Sequence, residues 1–282
     1  MLALGDLEVH AIVDCFFALD GGAMFGVVPR VLWQKKHPPD DSNRIRLAAR
    51  TLLVRGAGRA MLVDTGMGAK WDDKHRRMYG LEGEGGGLLP ALAALGLKPA
   101  DITDVVVTHL HFDHAGGATT RTPEGALEPT FPSATYWIQR ANWDWAVHPN
   151  DREKASYLRD NFEPLERAGR VRLLDGEQEL WPGVSVLVSH GHTRGQQMVR
   201  VTGGGRTVFY PGDLIPTASH LRTAWTMSYD IEPLKVMEEK SKLLEVAARE
   251  NWIVCFEHDA TLAACTVQTD SGGWSVREPV TL

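Results

Sequence analysis

Between Thr108 and Gly117 the chain reads Thr-His-Leu-His-Phe-Asp-His-Ala-Gly-Gly, so that His109, His111, Asp113 and His114 crowd into six consecutive positions. Imidazole and carboxylate together suit zinc and similar borderline metals. In an extended or looping segment, residues two apart point the same way, so His109 and His111 can converge on one ion while Leu110 and Phe112 face a packed layer. Asp113 and His114 then turn the other way and can serve a second ion a few ångströms off. Gly116 and Gly117 allow close backbone approach, or positive φ, where a helix would begin.

These donors need strands to present them. Asp104-Val105-Val106-Val107 is a short β-branched run, and the histidines begin where it ends. Three other apolar runs also stop at a donor: Val184–Val188 before Ser189-His190-Gly191-His192, Thr207–Tyr210 before Pro211-Gly212-Asp213, and Trp252–Phe256 before Glu257-His258-Asp259. Four strand ends in one sheet would bring these donors to a common edge. Arg50–Val54, Gly56-Ala57-Gly58 and Ala60–Gly66 read as strand, tight turn and strand. Leu88–Leu95 has helical spacing and stops at Gly96, a C-cap signal. Arg140–His148 reads as a helix, Asp151–Ala168 as an amphipathic helix interrupted near Pro164, and Glu232–Glu250 as a helix before the last donor.

The histidine cluster resembles the His-x-His-x-Asp-His signature of the metallo-β-lactamase superfamily, and the later segments match that family in order. The resemblance implies an α/β fold, an αβ/βα four-layer sandwich, holding two divalent metal ions, zinc first, with manganese, iron or cobalt as alternatives. By the same match His109, His111 and His192 surround one ion, Asp113, His114 and His258 the other, and Asp213 bridges both. Asp64, in Asp64-Thr65-Gly66, is expected to orient a ligand from behind. A solvent molecule between two cations becomes hydroxide near neutral pH, and Asp113 can orient it and pass a proton to the leaving group, its catalytic role. The long entry segment, the helix before the last donor and the closing Phe256-Glu257-His258-Asp259 look most similar to the N-acyl homoserine lactonase and methyl parathion hydrolase branch. This implies a quorum-quenching type of lactone or ester hydrolysis. Glyoxalase II-like thioesterase, phosphotriesterase and β-lactamase activities share the donor set, and a metal-dependent nuclease is a further alternative. One departure stands out: lactonases of the branch often carry a tyrosine three residues after the bridging aspartate, where this chain has Pro216.

Length and composition narrow the classes. At 282 residues, 43% hydrophobic and 23% charged, the chain suits one large domain spanning residues 1–282. A net charge of −6 without a basic run argues against nucleic acid as partner, and a small-molecule substrate fits better. No stretch approaches a membrane span and no secretory signal is visible, so a cytoplasmic location is expected. Cys15, Cys255 and Cys265 are scattered and read as small buried hydrophobes. No Gly-x-Ser-x-Gly elbow supports a serine nucleophile.

An N-terminal extension at about 16–48 reads as a long loop too apolar for a solvated linker, with Phe17, Met24, Phe25 and Trp33 among its residues. It is expected to pack on the domain body, to wall the substrate pocket through Phe25 and Trp33, or to form a homodimer contact. His220 and Tyr229 are the other candidates for the pocket.

Overall fold

In the computed structural model, which describes residues 1–83 and 85–282, two seven-stranded sheets face each other and helices cover both outer faces. The N-terminal half builds the first sheet. Strands β1 (Leu2–Leu4) and β2 (Leu7–Asp20) lead to the short helices α1 (Gly21–Phe25) and α2 (Arg30–Trp33). Strands β3 (Arg44–Gly56) and β4 (Arg59–Val63) follow as an antiparallel pair. Ala57 and Gly58 between them both take positive φ, 51° and 73°, the backbone a two-residue turn between right-twisted strands requires.

Helices α3 (Asp73–Met78) and α4 (Leu88–Ala94) precede β5 (Asp104–Val106), which lies parallel to β4. After it come helix α5 (Phe112–Ala115), the small hairpin of β6 (Thr119–Arg121) and β7 (Leu127–Pro129), and β8 (Thr135–Gln139). Helices α6 (Arg140–Val147) and α7 (Glu163–Arg167) and strand β9 (Val171–Leu174) complete this half. The second sheet follows as β10 (Gln178–Trp181), β11 (Val184–Ser189), β12 (Gln196–Gly203) and β13 (Arg206–Tyr210). Helix α8 (Pro233–Arg249) separates these from β14 (Ile253–Cys255), β15 (Ala264–Asp270) and β16 (Gly273–Val280).

The four-layer order follows from which faces are apolar. Leu52, Val54, Met61, Val63 and Val106 of the first sheet meet Val186, Val199, Val201, Val208 and Ile253 of the second in one core. Behind the first sheet, Leu88 and Leu92 of α4 and Trp143 and Ala146 of α6 pack on Leu53, Leu62 and Val105. Behind the second, α8 lays Val236, Leu244 and Ala247 on Phe209 and Val254. Strand β3, covered on both faces, is buried almost continuously from Leu47 to Val54. Lys240 shares the buried stripe of α8 because its ammonium donates to the carbonyls of Arg222 and Trp225, at 3.1 and 2.8 Å.

Three expectations need correction. The donors do not leave one sheet: β5 belongs to the first, whereas β11, β13 and β14 belong to the second. They meet at a shared edge because the sheets are tied there. Gln197 donates from its side chain to the carbonyls of Val107 and Trp137, both at 2.8 Å, and from its backbone to Thr108 at 2.8 Å.

Residues 16–48 are not a loop. A register shift between Val13 and Cys15 lets β2 run on to Asp20, paired with β3 from Arg44 onward. Between them Asp20 caps α1 by accepting from the Ala23 amide at 2.8 Å. The apolar residues form a fourth cluster of Phe17, Met24, Phe25, Trp33, Leu47 and Phe112, so most of the extension packs on its own chain. The interrupted helix over 151–168 is a run of turns with a short 3-10 helix at Arg159–Asn161, and only α7 is α-helical. Asn150 Oδ1 accepts from the amides of Arg152 and Glu153 at 2.8 and 3.1 Å, an Asx turn in place of a helical one.

Gly116 and Gly117 serve close approach, not left-handed backbone: neither has positive φ, and added β-carbons would sit 2.2 Å from the Met67 carbonyl and 2.3 Å from the Thr65 carbonyl. Gly117→Ala is therefore expected to destabilise by about 1–3 kcal/mol, read as a Tm fall of roughly 2–4 °C per kcal/mol. An unchanged Tm would contradict this packing.

Candidate metal centre

The two sheets deliver their donors from strand ends. His109 and His111 lie in the turn after β5, and Asp113 and His114 ride on α5, whose N-cap is His111. His192 follows β11, Asp213 sits in the turn Gly212–Leu214 after β13, and His258 follows β14. Asn142 on α6 spans the halves, accepting from the Leu110 amide at 2.9 Å and donating to the Arg194 carbonyl at 2.8 Å. The long strand β3 holds the last donor: the Ala48 amide donates to the His258 carbonyl at 3.2 Å, and the Arg50 guanidinium binds the Phe256 and Asp259 carbonyls.

The donor atoms gather into two buried groups. His109, His111 and His192 form one; His114, His258, Asp213 and Glu257 form the other, with donor atoms within 4.8 Å of one another in each group. Asp213 stands between them, with Oδ2 3.2 Å from His192 Nε2 and 3.5 Å from His114 Nε2, and Oδ1 3.0 Å from His258 Nε2. Asp113 faces the second group, its oxygens 3.7 Å from His114 Nε2 and 3.6 Å from His258 Nε2. Glu257, which sequence reasoning left without a role, lies on the other side of the His114 ring, 3.0 Å from Nδ1. The inward-facing nitrogens of His114 and His258 are both Nε2, 3.3 Å apart. Asp113 shares that inner side and Glu257 does not.

The chemistry of these groups suits cations. His109 Nε2 is buried without a hydrogen-bond partner, a costly state in a folded interior unless another group satisfies it. Burial drives His109 well below the ordinary imidazole range, and the neighbouring imidazoles push the same way, which leaves a neutral ring with a free lone pair. In the second group burial disfavours charge on His258, yet Asp213 and the other nearby carboxylates lift it to about 9. The carboxylates of the second group thus favour a positive charge in their midst. Burial pushes the Glu257 carboxyl up to about 8, so this residue stays largely neutral behind His114.

Two of the rings are held from behind by carboxylates. Asp64, held at φ 59°, accepts from the Thr108 amide at 2.6 Å and its hydroxyl at 2.7 Å, and lies 3.1 Å from His114 Nδ1. This is the orienting placement expected of it. Asp230 Oδ1 lies 2.9 Å from His192 Nδ1 and was not foreseen, being 38 residues away in the chain without a motif to mark it.

A cavity of about 380 Å³ opens onto both groups. Leu19, Met24, Tyr79, Phe112, Met227 and Tyr229 give it apolar walls, while Arg152, Glu153 and Ser228 add polar ones. Of the four pocket candidates only Tyr229 lines it. His220, Phe25 and Trp33 are almost fully buried behind the wall, where Phe25 stacks on His220 at 4.9 Å and on Trp33 at 5.5 Å. His220 spends both ring nitrogens internally, on Thr217 Oγ1 and the Met24 carbonyl, each at 2.8 Å. Tyr79 ends a segment, Lys70 to Tyr79, whose strong charge reads as a surface helix or lid and does not single the tyrosine out.

The four layers, the donors at the shared sheet edge and the match of residues 45–258 to the metallo-beta-lactamase superfamily model place this chain in that superfamily. Among its relatives, an N-acyl homoserine lactonase of Bacillus cereus is 28% identical over 229 residues, 77% of this chain and 83% of that protein. The match to the lactonase AiiA of Bacillus thuringiensis subsp. kurstaki is 27% identical and spans only 60% of the length of each protein. A probable metal-dependent hydrolase of Staphylococcus aureus superimposes with a TM-score of 0.88 at 29% identity, covering 99% of this chain and all of that one. AidC, a dizinc quorum-quenching lactonase, shares the fold with a TM-score of 0.78 at 20% identity, over all of this chain and 97% of its own. Among the described residues no helix is long and apolar enough to cross a membrane.

Buried carboxylates beside a lone pair without a donor predict that cations stabilise the fold. Returning zinc to chelator-stripped protein should raise Tm, with about 2.7 kcal/mol per site at a hundredfold excess over Kd. A Tm indifferent to zinc would contradict the assignment.

Proposed function

We propose that the protein is a metal-dependent hydrolase that opens lactones or related esters carrying an apolar chain, in the manner of a quorum-quenching enzyme. The observation that carries the reading is the apolar cavity that ends on both donor groups. The lactonase names of its relatives support the substrate class. In this reading His109, His111 and His192 hold one divalent ion, Asp113, His114 and His258 hold the other, and Asp213 is shared. Zinc is the first choice because imidazole outnumbers carboxylate.

When bound, two such cations lower the pKa of a water between them and polarise the acyl oxygen. The remaining work falls to the chain. The walls of Leu19, Met24, Phe112 and Met227 take the substrate's apolar chain and exclude bulk water from the reacting carbon. Asp113 sits at the cavity floor with a carboxylate oxygen toward each ring of the second group. It orients the attacking water and takes up its proton as the new acyl C–O bond forms. As the ring C–O bond breaks, the same carboxyl returns the proton to the leaving alkoxide, giving the open hydroxy acid.

Tyr229 lines the cavity where the branch's usual tyrosine position is Pro216. Burial raises the Tyr229 phenol above its ordinary range, so its hydroxyl remains a donor for the substrate carbonyl or leaving oxygen.

Two measurements test this. Across lactones, thioesters, phosphotriesters and β-lactams, N-acyl lactones should give the highest kcat/KM; a phosphotriester or thioester at the head of the panel would move the substrate class. Asp113→Asn should lose on the order of 10²–10⁴ in kcat, whereas near-full turnover would remove Asp113 from proton transfer.

A further inference from the structure

The other four imidazoles each have an acceptor behind the ring. His109 Nδ1 faces Thr108 Oγ1 at 3.1 Å, His114 Nδ1 faces Asp64 at 3.1 Å, His192 Nδ1 faces Asp230 at 2.9 Å, and His258 Nδ1 faces the Ala48 carbonyl at 2.8 Å. His111 is turned the other way. Its Nδ1 lies 3.3 Å from His192 Nε2 and so belongs to the inner side, while Nε2 points outward, buried and without a hydrogen bond. Opposite that Nε2, at 3.6 Å, is Glu153 Oε1.

We propose that Glu153 is the positioning residue of His111, a buried carboxylate that keeps the proton on Nε2, leaves the Nδ1 lone pair for the ion, and couples this ring to the His192 loop. The role rests on the metal-centre reading above and does not depend on the substrate being a lactone.

The surroundings of Glu153 fit that task. Its Oε2 accepts from Trp145 Nε1 at 2.7 Å and Asn150 Nδ2 at 2.8 Å, and its Oε1 accepts from Thr193 Oγ1 at 2.7 Å. The Thr193 proton is thereby used, so the 2.6 Å contact between Tyr157 and Thr193 has the tyrosine as donor. Three neutral donors leave one of the carboxylate's roughly four acceptor directions open, and His111 lies on the Oε1 side. A buried carboxylate needs a charged or proton-donating partner, and this ring supplies it. Thr193 is next to His192 in sequence, so one carboxylate braces two rings of the same donor group. Tyr157, whose ring centroid is 4.7 Å from that of His111, packs the ring in place.

Carboxylates behind metal-bound histidines raise ligand basicity and fix the tautomer, and losing one costs roughly 10–100-fold in metal affinity. The decisive experiment titrates zinc against a chromophoric chelator into stripped wild-type protein, Glu153→Gln, and Thr193→Val, which removes one donor to the carboxylate while keeping side-chain size. Glu153→Gln should weaken one of two zinc sites by about 10–100-fold and leave the other unchanged. Thr193→Val should show a smaller loss at the same site. Wild-type affinity at both sites in Glu153→Gln would overturn the proposal. So would equal loss at both sites with a lowered Tm of the stripped protein, the mark of a purely structural role. Wild-type protein that takes up no zinc overturns the metal centre and this inference together. Protein that binds zinc but opens no lactone overturns only the substrate reading, and the titration still decides the role of Glu153.

Discussion

Five imidazoles and two carboxylates lie within a few ångströms of each other and out of water, and the rest of the structure is arranged around making that tolerable. Such an assembly is costly by itself, because burial penalises charge while the surviving lone pairs have no donors facing them. The fold holds it by bracing from outside. Asp64 grips the turn after β5 through Thr108, Asp230 grips His192, and Ala48 and Arg50 of β3 grip the segment carrying His258. None of these braces acts on its own strand. Each joins segments distant in the chain, and the contacts of Ala48 and Arg50 also tie the first sheet to the segment that follows β14 in the second.

The cavity above the donors draws its wall from segments far apart in the chain. The α1–α2 segment supplies Met24, the turns around Glu153 supply Arg152, and the stretch before α8 supplies Met227 and Tyr229. Arg152 joins two of these by donating to the carbonyls of Ser228 and Asp230 across the opening. Lys240 anchors the same stretch from below through Arg222 and Trp225. The loop that lines the cavity also carries Asp230, so the cavity wall and one brace of the donor groups belong to a single segment.

How much of this could be read in advance follows the range of the interactions. The cluster from His109 to His114 was legible because its spacing has meaning within one turn, and His192, Asp213 and His258 because each ends an apolar strand. The division into two sheets was not, since β5 and β13 look alike as apolar runs and only Gln197 and the intervening core reveal that they face each other. Residues 16–48 looked like a loop because a bulge at Val13–Cys15 breaks the alternation that marks a strand. Phe25, Trp33 and His220 looked like pocket residues by composition, yet their rings satisfy one another behind the wall. Asp230 and Glu153 were invisible because an acidic residue on a turn carries no local sign of the histidine it faces.

Two donor groups joined by Asp213 give each chain the donors for two cations. Elemental analysis of metal-replete, extensively dialysed protein tests this most directly. The structure predicts two equivalents of a divalent metal per chain; one equivalent or none would contradict it.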